Sequence, residues 1–326
     1  MKKNILSTQK GRSLSLEQAL QLKREAVWKN LQDISVKQAL AEWLSTLSKV
    51  TAKNYLSGIK QLAHSKLIDT KISLQLFALI NHEAIIDQIK ILPKLSECSR
   101  QARAACYISF TRFLSRRTQG VIPRATPSRE GTSKTFYRVR DKVATEAMTR
   151  AEWTAFLEEL HKINSRDCLI AKIILQGGKR LSEVLGLTVD KIDFIKREIT
   201  FKQAKTKGYE KETVITYPQA IIDELKNYLG DRMKDESIGL VFITRGRKRI
   251  MPNQLTVTFQ KAGELAGVPC KVTPHVLRAS AITFLKMSGY SDSDIMKISG
   301  HASSAMVNAY DKSERALNIS KKISLV

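Results

Sequence analysis

Two long segments patterned as amphipathic helices flank Val121-Ile122-Pro123-Arg124-Ala125-Thr126-Pro127-Ser128-Arg129-Glu130-Gly131-Thr132-Ser133-Lys134, whose proline, glycine and hydroxyl content suits an extended linker. With 326 residues, 43% of them hydrophobic, the chain can bury more than one core, so two domains are expected. The boundaries read as an N-terminal extension over 1–34, a helical domain over 35–120, a basic linker over 121–146 and a second domain over 147–326. The fold class expected is mainly α with a small β-hairpin.

In the first segment a helix is expected around Leu16 to Leu31. Ser35-Val36-Lys37-Gln38 reads as a capping box that opens a second, with Val36, Leu40, Trp43, Leu44 and Leu47 on one face. A third should follow Thr51, with Tyr55, Ile59 and Leu62 inward and Lys53 and Lys60 outward. A later helix would turn Cys106, Phe110, Phe113 and Leu114 inward, leaving Arg100, Arg103 and Arg112 available to a phosphate backbone. Taken singly, each of these cations is better read as solvating a helix surface; the face as a whole is the candidate.

The second segment opens at Thr149-Arg150-Ala151-Glu152, another capping box, with Trp153, Phe156, Leu157 and Leu160 toward a core. Glu198-Ile199-Thr200-Phe201-Lys202-Gln203 and Glu212-Thr213-Val214-Ile215-Thr216-Tyr217 read as strands joined by a polar, glycine-containing turn, and Leu240-Val241-Phe242-Ile243 as a further short strand.

Five groups in this segment bear chemistry. Arg180 follows the paired glycines Gly177-Gly178, which end one helix before an apolar run opens the next. Thr273 suits an N-cap and Pro274 the first helical position. His275 and Arg278 would then share a face in the first helical turn, where the dipole favours an anion. Ser291 to Lys297 reads as a capped helix closed by Gly300, with His301 just beyond; Met306, Val307 and Tyr310 recur at helical spacing after Ser303-Ser304. Each residue alone has a bland reading: a surface arginine, a satisfied histidine, a core tyrosine with its hydroxyl at the surface. Their order and spacing together outweigh those readings.

In that order the motifs resemble the tyrosine recombinases, or phage-type integrases, whose pattern is Arg, Lys, His-x-x-Arg, Gly-His and a nucleophilic Tyr. The resemblance spans essentially the whole chain. Within the family, Gln176 to Arg180, Pro274 to Ala279, Ser291 to Lys297 and Ala309 to Ser313 look like the integrase-like proteins of chlamydial plasmids. The resemblance implies a helical, SAM-like core-binding domain followed by an α+β catalytic domain, the two wrapping around DNA. It also implies a catalytic lysine on the hairpin turn. Lys205 matches best, with Lys207 and Lys211 as neighbours that could equally be DNA-binding turn lysines. Lys179 stands where many members have an apolar residue, a departure of little consequence on sequence alone.

Cleaving a phosphodiester without metal requires fixed cations on the nonbridging oxygens. Arg180 and Arg278 suit that clamp, because guanidinium groups bond phosphate bidentately and stay charged. By the resemblance Tyr310 attacks phosphorus and leaves a 3′-phosphotyrosine and a free 5′-hydroxyl. His275 is the candidate proton acceptor, Lys205 the donor to the departing oxygen, and His301 a phosphate ligand. Glu183 reads as structural, orienting arginine or backbone groups. The covalent link conserves the bond energy, so no cofactor is expected.

Composition agrees with such a partner. Lys+Arg 55 against Asp+Glu 31 gives a formal net charge of +24, which attracts a polyanion and makes affinity fall with salt. Charge alone would equally suit a ribosomal or membrane-surface protein. Cys98, Cys106, Cys168 and Cys270 lack metal-ligand spacing and read as reduced, mostly buried thiols of a cytosolic protein. There is no phosphate-binding Gly-x-x-x-x-Gly-Lys loop, no run of apolar residues long enough for a membrane, and the first ten residues are too polar for a signal peptide. The expected partner is double-stranded DNA. By family analogy a homo-tetramer on two duplexes is expected, coupled by docking of the tail with Ala316, Leu317 and Ile319. An accessory DNA-bending protein, the target sequence and the direction of the reaction stay open. Two other functions are consistent with the same residues: a DNA-binding plasmid regulator that no longer cuts, and a relaxing, topoisomerase-like enzyme.

Overall fold

The computed structural model describes residues 15–127, 146–203, 211–234 and 239–310. The chain divides into two compact units, Met1–Val139 and Arg140–Val326.

The first unit contains α1 (Leu16–Asn30), α2 (Val36–Ser45), α3 (Lys49–His64), α4 (Leu74–Ala78), α5 (His82–Lys90) and α6 (Glu97–Arg117). Each starts on a hydroxyl or amide side chain that accepts a backbone N–H of the first turn: Ser15, Ser35, Ser48, Ser73, Asn81 and Ser96. Ser35 and Gln38 form the expected reciprocal box. The third helix begins earlier than expected, because Ser48 supplies the cap: its hydroxyl accepts the Thr51 backbone N–H and donates to Thr51 Oγ1. Trp43 stacks on Tyr55 at 5.3 Å, and Phe77, Tyr107 and Phe110 fill the centre of the core.

Both expected edges of this domain move outward. Leu31 is buried, and Gln75 and Leu74 donate backbone bonds to the carbonyls of Leu31 and Ile34, so the supposed extension packs on the unit from α1 onward. Ile122 and Ala125 are buried too, their N–H groups taken by the hydroxyls of Thr118 and Thr111. The start of the expected linker is therefore packed chain. Proline and glycine content marked a stretch without helix, which is a different property from a stretch without contacts.

The second unit contains α7 (Arg150–Ile163), α8 (Ser165–Gly177), α9 (Leu181–Val184), β1 (Ile192–Asp193), β2 (Glu198–Lys202), β3 (Glu212–Thr216), α10 (Gln219–Leu229), α11 (Pro252–Leu265), α12 (Pro274–Met287), α13 (Asp292–Ser299) and α14 (Ser304–Tyr310). Its core runs from Phe156 and Leu160 of α7 through the apolar face of α8 to Leu277 of α12. The antiparallel sheet has the order β1-β2-β3, with Ile199 opposite Ile215 and Lys202 opposite Glu212. Alternation puts Ile199, Phe201 and Ile215 into the core. Leu240 to Ile243 is not a strand. It makes single bridges, Thr188 to Leu240 and Ile243 to Arg249, because Val241 and Phe242 both turn into the core while Arg232 takes the Leu240 and Val241 carbonyls.

Candidate active site

Four chain segments meet around Arg278. Helix α8 ends at Gly178, whose φ of 55° is the left-handed geometry that glycine adopts without a Cβ penalty. The turn that follows presents Arg180 at the start of α9. Glu183 holds it at two points, accepting from the Arg180 backbone N–H at 3.0 Å and from Nη1 at 2.8 Å. This is the orienting role expected of Glu183, and its carboxylate is buried.

Thr273 caps α12 through Val276, with Pro274 in the first turn as expected. Arg278 points inward and is 1% exposed, which for a guanidinium demands dedicated acceptors. Its Nη1 donates to the Gly178 carbonyl at 2.6 Å and its Nη2 to His301 Nε2 at 2.8 Å. His275, three residues earlier, is exposed. The pair shares a helix turn, yet Arg278 reaches the centre of the site while His275 stands at its margin.

Helix α13 closes on Gly300 at φ 70°, and His301 follows directly. Ser299 Oγ donates to the Ile295 carbonyl at 2.6 Å, so it can only accept from His301 Nδ1, 2.7 Å away. His301 therefore carries its proton on Nδ1 and offers Nε2 as acceptor to Arg278. Burial first, then the charges of Arg278 and Arg180, push its pKa down to about 3, so the ring is neutral.

The β2–β3 hairpin roots beside this histidine. Gln203 donates its backbone N–H to the Lys211 carbonyl and its side-chain amide to Thr213. A Cβ at Gly300 would come within 2.8 Å of Gln203 Nε2, so that glycine admits the hairpin root. Lys205 and Lys207 lie outside the described residues. Helix α14 packs on α12 and α13, with Val307 buried against Ile282 and Ile295, and its last residue is Tyr310, whose side chain is not among those described. The tail with Ala316, Leu317 and Ile319 is also outside them.

Thus Arg180, Arg278 and His301 come together, with the helix ending in Tyr310 alongside. Two participants escaped the sequence reading. Ser299 was invisible because a serine before Gly-His carries no signal of its own. Lys179 stands out in the sequence only as a departure from the family pattern, and it is as buried as Arg278.

In the first unit, Lys53 and Lys60 are exposed as expected. Arg100 and Arg103 are half-buried and committed in part to the unit itself. Arg100 donates to the Leu92 and Lys90 carbonyls and Arg103 to Gln61. Helical periodicity does not reveal those acceptors. Cys106 and Cys168 are buried, Cys270 is half-buried and Cys98 exposed, all as free thiols. Among the described residues no cluster of His, Cys, Asp and Glu could hold a metal, and no helix is long and apolar enough to cross a membrane.

The phage integrase family model matches residues 146–316. The virulence plasmid integrase pGP8-D of Chlamydia muridarum is 44% identical, with 100% of both chains covered. Among solved structures, the XerH site-specific recombinase bound to difH substrate has a TM-score of 0.61 at 16% identity, covering 96% of this chain and 85% of that one. A lambda integrase tetramer bound to a Holliday junction has a TM-score of 0.62 at 15% identity, covering 94% and 91%. At those identities the structures speak for the fold, which is the mainly helical, small-sheet architecture expected. The full-length match and the family model decide the rest: the chain belongs to the phage integrase family and is a tyrosine recombinase.

Proposed function

We propose that this chain cleaves and rejoins double-stranded DNA at specific sites through Tyr310, in the integration, resolution or maintenance of a plasmid. The observation that carries the reading is the pairing of Arg278 with both the Gly178 carbonyl and His301, which fixes a guanidinium next to the turn bearing Arg180. Two fixed cations at one point are what a phosphorane-like transition state needs, and binding alone does not require a tyrosine in register with them.

In this reading Tyr310 Oη attacks the scissile phosphorus as the bond to O5′ breaks, giving a 3′-phosphotyrosine and a 5′-hydroxyl. His275, exposed at the margin of the site, accepts the phenolic proton, and Lys205 delivers one to O5′. Arg180 and Arg278 hold the nonbridging oxygens. His301 keeps Arg278 in place before DNA arrives, and it donates to phosphate only by gaining a proton at Nε2, which an arriving anion favours. A second 5′-hydroxyl then attacks the phosphotyrosine, so ligation consumes no cofactor and the chemistry asks for no metal.

The first unit would grip DNA through Lys53, Lys60 and the remaining donors of Arg100 and Arg103, and a homo-tetramer would join two duplexes. The DNA-bound neighbours and the net charge of +24 support that part. Its place is the cytoplasm, where plasmid DNA lies; an accessory bending protein is compatible with the same assembly.

The test is incubation with nicked suicide duplexes tiled across the replicon that encodes the chain. A protease-sensitive covalent adduct that disappears in Tyr310→Phe is expected. Tight, sequence-specific binding with no adduct would instead make the chain a DNA-binding regulator, and relaxed circles without recombinant junctions would make it a relaxing enzyme.

A further inference from the structure

Lys179 is 1% exposed in the middle of a cationic site, which is an unfavourable place for an amine. Its Nζ donates to the Ile298 carbonyl at 2.7 Å and lies 5.1 Å from the ring centroid of Phe201 on β2. Ile298 belongs to the last turn of α13, where carbonyls have no partner within the helix. A donor from outside is needed there, and a cation suits the negative end of the helix. Lys179 thus caps from a distance the helix whose next residues are Gly300 and His301.

The bond closes a ring. The main chain from Gly178 to Lys179 leads through Nζ to Ile298, along the helix end to His301, across to Arg278 and back to the Gly178 carbonyl. Every link but the peptide segments is a hydrogen bond between residues distant in sequence. We propose that Lys179 is a positioning residue of the strand-transfer site, holding His301, and through it Arg278, in register with the turn that bears Arg180. This rests on the recombinase reading above and extends it to a residue that makes no contact with the reacting atoms.

The groups facing the amine are Arg180 and Glu183 from α9, Arg278 from α12, and the aromatic ring of Phe201 from β2, with neutral His301 beyond the Ile298 carbonyl. Burial first, then the two arginines, push its pKa down to about 7 against the pull of Glu183. An uncharged amine still donates to Ile298, so the tether survives across neutral pH.

The experiment uses the full chain with Lys179→Met, which keeps the stem and removes the donor. Three properties are measured: thermal midpoint, affinity and adduct rate on a saturating nicked duplex, and the ring 15N signals of His301, assigned by their loss in His301→Gln. The Ile298 carbonyl loses its donor, so the midpoint should fall modestly while the chain still folds. The adduct rate should fall about tenfold or more, with affinity within about twofold, as displacement of a clamp requires. The His301 signals should leave the pattern of an Nδ1-protonated neutral ring. An unchanged rate with unchanged His301 signals overturns the proposal. If wild-type protein forms no adduct with any duplex, the recombinase reading fails by itself, and the 15N signals alone then decide whether Lys179 positions His301. Should Lys179→Met not fold, Lys179→Leu, which also lacks a donor, takes its place with the same outcomes.

Discussion

Arg278 and His301 share one hydrogen bond of 2.8 Å between Nη2 and Nε2, and it sets the protonation of the histidine as firmly as the histidine sets the arginine. The serine behind the ring accepts at Nδ1, so the arginine meets a lone pair. Lysine in place of Arg278 would keep the charge while losing the planar fork that reaches both Gly178 and His301. Arg278→Lys should lower adduct formation by about a hundredfold or more, at a stability cost of about 1–3 kcal/mol for the orphaned acceptors. Single-turnover cleavage and urea denaturation would separate the two effects.

The neutral state of His301 has a consequence for acid stability. Its folded pKa of about 3 lies below its ordinary 6.5, so between those values the unfolded chain binds a proton that the folded chain refuses. The stability contributed by the neutral ring is complete above about pH 6.5 and is lost as pH falls toward 3. By pH 4.5 the loss should be about 2–3 kcal/mol, absent in His301→Gln. Denaturation midpoints at pH 7 and 4.5 for both proteins give the difference directly.

Most of the site's framework was legible in the chain because it is built from local signals. The caps at Ser35, Thr149, Thr273 and Ser291 fall where serine and threonine precede helical periodicity, and each side chain does accept from the first turn. The glycines at 178 and 300 mark left-handed helix ends beside the two motifs they close. What the chain did not disclose is where long side chains find partners far away in sequence. Arg103 reaching Gln61, Arg100 reaching Leu92 and Lys179 reaching Ile298 depend on packing that no spacing rule encodes. For the same reason Ile122 and Ala125 read as linker although they complete a core.

Glu183 is the carboxylate that keeps Arg180 from turning to solvent. Its two oxygens are used separately, one on the Arg180 backbone and one on its guanidinium. Glu183→Gln preserves the shape but replaces one acceptor by a donor facing Nη1 or the N–H. A stability loss of about 1–3 kcal/mol is expected. Adduct formation should slow by about tenfold through misplacement of Arg180. Similar affinity for duplex with a slower single-turnover rate is the outcome to look for.

Gly300 meets two demands at once: φ of 70° and room for the Gln203 amide. Gly300→Ala would strain the backbone by about 1–2 kcal/mol. It would also press on a side chain already engaged with Thr213, disturbing the hairpin root and His301 together. Thermal melting should show the first effect and the 15N signals of His301 the second. Unmoved signals would separate the glycine's helix-ending role from its role beside the hairpin.

The helix that ends in Tyr310 is short, too short to be stable without neighbours. Besides the buried contact of Val307, Lys286 on α12 ties it down, bonding Asn308 Oδ1 at 2.6 Å and Asp292 at the start of α13 at 2.8 Å. One lysine thus joins three helices close to Tyr310 in the chain. An exposed polar latch of this kind contributes only about 0–1 kcal/mol to folding, so Lys286→Met should fold normally. The helix would still dock through Val307 but with a looser last turn. Covalent adduct should therefore form more slowly at saturating duplex with affinity unchanged, and Asn308→Ala should reproduce part of the loss. Equal rates in wild type and both variants would mean that apolar packing alone sets the register of Tyr310.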